Sequence, residues 1–205
     1  MPESADEVYA RVVAAVGEDG RLPMPPVDEW DVFPWEVVDG ALVPKVLRPP
    51  ADEPPRWGEA ADKPCGSCAE SPDDLKIWAN ARWYVTRGRQ PSGLPLMLWL
   101  HPVEHLDLPD LDDDMAAEFG RISTWLGRII SNLPHIGRVH VCRWGDGGSH
   151  LHWWFIARTA RLPQILGSMA VEWEEMLPPV PEEVWRADYE SVARRLANHD
   201  GRALV

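Results

Sequence analysis

The sequence predicts an α+β fold in which helices pack on an antiparallel sheet. Two runs of strand-forming residues, 75–86 and 96–101, precede one long amphipathic helix, and two more, 138–144 and 149–158, follow it. A glycine and proline turn joins the first two runs, and a glycine turn makes the last two a hairpin. An antiparallel sheet covered by helices is the simplest architecture for this order of elements.

The same order predicts how the chain is divided. At 205 residues it is long enough for one domain with its own core and an extension, but not for two full domains. We predict an N-terminal arm over residues 1–63 that wraps the domain, a core over 64–160, and C-terminal helices over 161–205 that pack on the core. Val8 and Val12 belong to a short amphipathic helix near the N-terminus, which we expect at the periphery.

Proline and tryptophan are abundant in the arm from residue 22 to residue 63. Because proline removes a backbone donor and fixes one dihedral angle, its density predicts irregular structure. Three tryptophans are spaced among the prolines: Trp30, Trp35 and Trp57. We expect the arm to hold the domain through these large side chains.

Helices follow both strand pairs. From Asp110 onward, apolar residues recur at spacings of three and four, which predicts a long amphipathic helix. These residues are Leu111, Met115, Phe119, Ile122, Leu126, Ile129 and Leu133. The acidic first turn suits the positive end of the helix dipole. Two C-terminal helices are predicted over 162–176 and 181–198, separated by prolines.

Composition excludes several classes of function. With 33 acidic and 20 basic residues the formal charge is -13, which would repel a polyanionic backbone, so general nucleic-acid binding is not expected. A small anionic ligand held by a local cluster of donors is still allowed. The sequence has no apolar run of the roughly 20 residues that a membrane-spanning helix needs, and its N-terminus does not resemble a secretory signal. We therefore expect a cytoplasmic protein without a membrane partner.

Two of the three cysteines, Cys65 and Cys68, form a Cys-x-x-Cys pair. This spacing can place two thiolates on one tetrahedral ion, and zinc would need two more sulfur or imidazole ligands. His105 and His150 are the best candidates because each stands at the end of a predicted strand. A redox dithiol and an ordinary pair of thiols are the alternatives, although the βαβ context typical of a redox pair is missing from the flanking sequence.

His150 and His152 open the last predicted strand. Residues i and i+2 of a strand share a face, so the two histidines and Trp154 should point one way. A neutral imidazole is a competent nucleophile towards phosphorus, and the glycine turn with Ser149 offers donors for phosphate oxygens. The residues alone favour a plainer interpretation, in which both histidines are metal ligands or half-buried strand residues.

Three landmarks, in order, resemble the histidine-triad (HIT) superfamily, which includes the triad hydrolases and the galactose-1-phosphate uridylyltransferases. The landmarks are the Cys65-x-x-Cys68 pair, the Pro102-Val103-Glu104-His105 strand end before a leucine-rich run into a helix, and the His150-Leu151-His152 strand that ends in Arg158. The resemblance covers about residues 65–158. It implies a HIT-like antiparallel sheet with packed helices, to which the arm and the C-terminal helices are added.

The resemblance also implies roles for individual residues. In zinc-bearing members the matching positions bind the metal, and here they are Cys65, Cys68, His105 and His150. The second histidine of the paired motif is the nucleophile that forms a covalent nucleotidyl intermediate, which would be His152. A structural Zn2+, a small phosphorylated or nucleotide ligand and a homodimer are the implied cofactor and partners.

The chain departs from the family where the family binds substrate. Trp154 stands where the hydrolases have a third histidine and the uridylyltransferases a glutamine, so an indole nitrogen is the donor left there. Arg87 and Arg89 fall where an acidic residue would bind ribose; arginines suit a phosphate or carboxylate, and solvated loop charges are the plainer interpretation. The predicted substrate-binding residues are therefore Arg87, Arg89, Gly147, Gly148 and Trp154.

Three functions follow as hypotheses. The first is a nucleotidyl or phosphoryl transferase or hydrolase, in which His152 attacks phosphorus while Ser149 and the glycine turn hold its oxygens. The alternative is a non-catalytic, zinc-stabilised HIT-like module that binds a nucleotide or another small anionic ligand, with Trp154 abolishing transfer. In the third, His152 joins a different metal site and the chain carries out metal-dependent chemistry.

Overall fold

The computed structural model describes residues 3–25, 33–69 and 73–205, so the prediction for Trp30 lies outside the described residues. The fold is α+β, as the sequence predicts. The helices are α1 (Ala5–Ala14), α2 (Gly66–Ala69), α3 (Asp113–Ser131), α4 (Trp173–Met176) and α5 (Glu182–Ala197). The strands are β1 (Trp35–Val38), β2 (Ala41–Pro44), β3 (Lys76–Ala79), β4 (Trp83–Arg87), β5 (Leu96–Pro102), β6 (Ile136–Cys142), β7 (Trp153–Thr159) and β8 (Arg202–Ala203). Within the described ranges, none of the helices has both the length and the apolar composition needed to cross a membrane.

Six strands form the main sheet in the order β6-β7-β5-β4-β3-β8, and every neighbouring pair is antiparallel. Strand β5 lies between β4 and β7 and therefore joins the two predicted strand pairs. Leu100, near the end of β5, is opposite Trp153 at the start of β7. The chain just before β7 consequently lies beside the residues that follow β5, which brings two distant candidate segments together.

The main apolar core lies between one face of the sheet and helices α3 and α5. Alternate residues of β4, β5 and β7 point into it. Strand residues with no exposed surface include Ile77, Trp78, Trp83, Val85, Leu96, Leu98, Leu100 and Phe155, and those of α3 are Ile122, Leu126 and Ile130. Burial of each such side chain contributes about 1.5–3 kcal/mol. Because a slip by one residue would expose this whole set, the core fixes the register of the strands that carry the site.

A second, smaller apolar cluster includes residues of the opposite sheet face. Val8 and Val12 of α1 are buried in this cluster, so the predicted amphipathic helix packs its apolar face on the domain, outside the main core. The helix begins sharply because its cap is reciprocal: the Ser4 hydroxyl accepts from the Glu7 amide, and the Glu7 carboxylate accepts from the Ser4 amide.

The run predicted as one strand over 75–86 is instead a hairpin made of β3 and β4. The Asn80 side chain accepts hydrogen bonds from the amides of Arg82 (2.9 Å) and Trp83 (2.7 Å), and these bonds close the turn. The sequence prediction missed the turn because Asn80 was its main signal and strand-forming residues flank it on both sides.

In the arm, β1 and β2 form a two-stranded hairpin, although the prolines predicted irregular structure. Asp39 and Gly40 both have positive φ angles, 50° and 79°, which is the conformation of the tight turn that hairpins prefer. Trp35 and Trp57 are exposed. The side chains of these two tryptophans therefore do not hold the arm to the domain as expected.

The predicted helices differ from the observed ones mainly in their limits. Helix α3 begins after Asp112, whose side chain accepts from the Met115 amide (2.7 Å), rather than at residue 110. The helix predicted over 162–176 is wrong: a 3-10 turn at Gly167–Ala170 and the single turn of α4 occupy the region. Gly167 has a φ angle of 58°, a left-handed conformation that interrupts a helix. The last predicted helix corresponds to α5.

Candidate metal centre and adjoining cleft

The paired histidines lie at the start of β7. Because β7 begins at Trp153, His150 and His152 precede the strand instead of opening it, which corrects the predicted boundary. The predicted alternation of faces nevertheless holds. Leu151 is buried in the main core, whereas the centroid of the His152 ring is 6.3 Å from that of Trp154.

Cys65 and Cys68 are brought together by one helical turn. The Cys65 carbonyl accepts from the amides of Cys68 (3.2 Å) and Ala69 (2.9 Å). Both thiols consequently lie beside the ring of His150. Cys65 Sγ lies 3.6 Å from His150 Nδ1, and Cys68 Sγ lies 3.4 Å from the same atom.

Four side chains converge at this point: Cys65, Cys68, His105 and His150. One candidate ligand atom of each lies within 4.8 Å of all the others, and Cys68 Sγ is 3.4 Å from His105 Nδ1. At tetrahedral angles, zinc bonds of about 2.3 Å to sulfur and about 2.0–2.1 Å to nitrogen would place these atoms about 3.5 Å apart. The three sulfur-to-nitrogen distances fit such an ion, so the cluster could bind a metal.

Both histidines present the same ring nitrogen to the thiols. Nε2 of His150 lies 2.9 Å from the Pro102 carbonyl oxygen, to which it donates. Nε2 of His105 lies 3.2 Å from the hydroxyl of Ser149. A neutral imidazole that donates through Nε2 carries its lone pair on Nδ1, which is the atom that faces the cysteines.

The charges of the cluster suit a cation. Desolvation, followed by the hydrogen bond and charge of Cys65, raises the pKa of the Cys68 thiol. Burial lowers the pKa of His150 against the opposing effect of its bond to Pro102, and the neighbouring histidines add to the lowering. The imidazole is thus kept neutral, as a metal ligand must be. A dication would offset the cost of holding thiolates in so small a site.

A cleft of ≈ 470 Å³ adjoins the cluster. Its lining residues are Trp57, Pro64, Cys65, Gly66, Ser67, Ala69, Gly148, His150 and His152. Nδ1 of His152 lies 2.9 Å from the carbonyl oxygen of His150 and donates to it. The lone pair of the His152 ring is therefore on Nε2, which has no hydrogen-bond partner among the residues that the structure describes.

Trp154 is held by other aromatic rings. Its centroid is 4.9 Å from that of Trp99 and 5.1 Å from that of Trp144, both in edge-to-face arrangements. Its indole nitrogen is buried and has no hydrogen-bond partner in the described part of the chain. Trp154 therefore packs beside His152 instead of lining the cleft.

His101 is a buried neighbour of the paired histidines. Its ring stacks on Tyr84 with the centroids 4.8 Å apart, and its Nε2 is 3.0 Å from the Thr86 hydroxyl. Burial, with smaller effects of His150 and His152, lowers the pKa of His101 to about 3. It is consequently a neutral residue that packs behind the site.

Ser149 and the glycines before it hold the site together. The buried Ser149 hydroxyl lies 3.1 Å from the Trp57 carbonyl oxygen, to which it donates. The Gly147 carbonyl accepts from the Trp57 amide (3.0 Å), and Gly148 lines the cleft. The Ser149 hydroxyl is therefore bound within the protein, and Ser149 is not among the described residues that line the cleft. Its donation to phosphate oxygens stays a prediction.

The two arginines predicted to bind substrate do not line the cleft. The guanidinium of Arg87 lies 5.1 Å from the ring centroid of Trp185 and 5.0 Å from that of Tyr189. Both rings belong to α5, so strand alternation has placed Arg87 on the sheet face opposite His152. Arg89 is exposed, in agreement with the plainer interpretation of a solvated loop charge.

The sequence did not single out the segment that closes the site, residues 56–69, which we call the strap. Arg56 pairs with one carboxylate oxygen of Asp107 (2.8 Å) and donates to the Gly145 carbonyl (3.1 Å). Arg143 pairs with the other oxygen of Asp107. Gly58, directly after Trp57, was the available signal for a turn. Nothing in the sequence indicated that the charges of Arg56, Asp107 and Arg143 would pair.

Comparison with known proteins gives no matching family model and no matching curated protein. Among solved structures, a hypothetical histidine triad nucleotide-binding protein from Sulfolobus tokodaii is 14% identical with a TM-score of 0.46, and the match covers 65% of this chain and 93% of that one. A Zn-bound histidine triad family protein from Mycobacterium smegmatis is 18% identical with a TM-score of 0.47, covering 66% and 97%. A histidine triad protein from Marinobacter aquaeolei is 18% identical with a TM-score of 0.48, covering 63% and 94%. All three are described as histidine triad proteins, the superfamily that the sequence resembles.

Proposed function

We propose that the cleft is the active site of a nucleotidyl or phosphoryl transferase or hydrolase that acts through a covalent intermediate on His152. The observation that carries this proposal is the orientation of the His152 ring. Its Nδ1 donates to the His150 carbonyl (2.9 Å), which leaves the Nε2 lone pair unpaired among the described residues, beside a cleft large enough for a small ligand.

We also propose that the metal of the centre is zinc and that its role is structural. Cys65, Cys68, His105 and His150 form a donor set of two sulfurs and two imidazole nitrogens, which is typical of structural zinc sites. Four protein ligands leave no open position for substrate or water. Bound there, the ion would supply a cross-link between the strap and the two strand ends.

The chemical steps of hydrolysis need only groups of this chain, the substrate and water. The Nε2 lone pair of His152 forms a bond to phosphorus as the bond to the leaving group breaks, and the leaving group departs with that electron pair. Water then attacks phosphorus, the nitrogen–phosphorus bond breaks, and its electrons return to Nε2. The proton lost by water neutralises the leaving group. Throughout, the His150 carbonyl stabilises the positive charge of the ring through Nδ1–H.

The cleft lining favours a ligand of low charge. Among the described residues that line it, none is a lysine or an arginine, so a highly charged polyphosphate would be poorly compensated. Trp57 presents an exposed ring at the cleft, and such a ring can stack on a nucleobase or another flat group. A nucleotide or other small phosphorylated compound with a single phosphate fits both features.

A specific observation supports a second candidate, a non-catalytic module that binds such a ligand. The indole nitrogen of Trp154 is buried against other rings rather than lining the cleft, so it would not stabilise charge on phosphate oxygens. In this case His152 would contact the ligand without forming a bond to it.

The proposed activity is tested by His152→Ala. After incubation with a panel of nucleotides and phosphate esters, we expect an adduct on His152 by intact mass and peptide mapping, and turnover that falls on the order of a thousandfold or more in the variant. The zinc content should stay at one ion per chain. His199→Ala is the matched control, because His199 is an exposed histidine stacked on Trp125 at a different surface. Ligand binding without adduct or turnover in the wild type would leave the binding module as the function.

A further inference from the structure

The Ser149 hydroxyl joins two parts of the site that are far apart in sequence. It is buried, with 6% of the residue exposed, and lies 3.2 Å from His105 Nε2 and 3.1 Å from the Trp57 carbonyl oxygen. The carbonyl can only accept, so the single hydroxyl proton is donated to Trp57. The hydroxyl oxygen must then accept from Nε2–H of His105, which leaves the lone pair of that ring on Nδ1, 3.4 Å from Cys68 Sγ.

The strap is attached to the same place through its backbone. The Trp57 amide donates to the Gly147 carbonyl (3.0 Å), and the Trp57 carbonyl accepts from the Ser149 amide (2.9 Å) as well as from its hydroxyl. Most of the residues that line the cleft, from Trp57 to Ala69, belong to the strap. The cleft therefore has walls only while the strap is docked.

Gly58 shows how closely the strap approaches the centre. A Cβ atom at this position would lie 2.5 Å from Ser149 Oγ and 2.8 Å from His105 Cε1. Its φ angle of 98° is also one that favours glycine. A side chain here would push the strap away from the hydroxyl and the ligand ring at once.

We propose that Ser149 is a positioning residue of the metal centre: it sets His105 as an Nδ1 ligand and, through the same hydroxyl, fastens the strap, so that metal binding and assembly of the cleft are coupled. This inference rests on the metal centre of the proposed function, but not on catalysis by His152. It assigns Ser149 a role different from that of a donor to substrate phosphate.

The first test measures zinc affinity by competition with a chromogenic chelator. Groups that orient metal ligands from behind typically change affinity 10–100-fold, so we expect Ser149→Ala to bind zinc about 10–100-fold more weakly. Ser149→Thr retains the hydroxyl and should restore most of the affinity. Ser131→Ala is the control, because the exposed Ser131 donates to the Gly127 carbonyl at the end of α3, away from the centre. A folded Ser149→Ala protein that binds zinc within about twofold of the wild type would overturn the inference.

The second test follows the strap itself. With zinc bound, we expect trypsin to cut the Arg56–Trp57 bond slowly, and removal of zinc or Ser149→Ala should expose that bond. Arg48 and Lys63 precede prolines and resist cleavage. The Lys45–Val46 bond, at which Val46 is exposed and Lys45 half-buried, serves as an internal reference.

Gly58→Ala provides a variant that leaves Ser149 in place, and it should reproduce both the weaker zinc binding and the faster cleavage at Arg56. Its control is Gly40→Ala, which has a comparable φ angle of 79° but no atom within 4 Å of the added Cβ. Equal cleavage with and without zinc would refute the coupling. Failure of the wild type to bind zinc would remove the metal centre of the proposed function as well, whereas zinc binding unaffected by Ser149→Ala would refute this inference alone.

Discussion

Replacing Asp107 by asparagine should weaken the attachment of the strap while preserving the shape of the side chain. Asp107 binds Arg56 of the strap with one oxygen and Arg143 of the loop before the paired histidines with the other. Burial alone would raise the pKa of Asp107, but hydrogen bonds from Arg56, the Leu108 amide and Arg143 together lower it. The carboxylate is thus ionised at neutral pH. Asparagine would leave Arg143 without a carboxylate partner among the described residues, and Arg56 would keep only its pair with Glu59.

The size of the effect follows from the exposure of the three groups. Their side chains are 13% exposed for Asp107, 26% for Arg56 and 22% for Arg143. Fully exposed ion pairs contribute about 0.2–1 kcal/mol, and breaking a fully buried pair costs about 3–5 kcal/mol. The network lies between these limits, so we expect Asp107→Asn to lower the free energy of unfolding by about 1–3 kcal/mol.

Urea unfolding at neutral pH, with and without zinc, measures this difference. Asp62→Asn is the control, because Asp62 is an exposed carboxylate within the same strap. A cycle with Arg56→Gln shows whether the two residues act together, since independent changes add within about 0.3–0.5 kcal/mol. An Asp107→Asn protein as stable as Asp62→Asn, or strict additivity in the cycle, would refute the reasoning that this network fastens the strap.

Two further substitutions test the β3–β4 turn and a buried carboxyl group. Asn80→Ala removes the acceptor for the amides of Arg82 and Trp83. We expect the free energy of unfolding to fall by about 1–3 kcal/mol, measured as a lower urea midpoint. An unchanged midpoint would contradict the assignment of this turn to the Asn80 side chain. Burial raises the pKa of Glu174 in the folded protein. Ionisation of Glu174 therefore opposes folding. The stability that the neutral carboxyl contributes is fully present below its unfolded pKa of about 4.3, and this contribution is lost as the pH rises through the higher pKa of the folded protein. Glu174→Gln should accordingly raise the melting temperature at pH 7 but not at pH 4, and the opposite order would contradict the burial of this carboxyl.

Local patterns in the sequence predicted the elements whose signal lies in neighbouring residues. The spacing of Ile122, Leu126 and Ile129 predicted α3, because a helix repeats every 3.6 residues and one face must be buried. Alternation predicted that Leu151 and His152 face opposite ways, and this held although β7 begins later. The hairpin turn at Asn80 was missed because a single side chain closes it within a run of strand formers.

The sequence by itself determined the α+β class, the two strand regions on either side of the long helix α3, and the last helix α5. It also pointed to Cys65, Cys68, His105 and His150 as candidate metal ligands. Only the tertiary structure decided that these four converge, that Arg87 faces α5, and that Ser149 bonds within the site. The physical reason is the range of the interactions involved. Periodicity and turn chemistry act between neighbours in the chain, whereas the pairing of β5 with β7 and the docking of the strap join segments that the sequence keeps far apart.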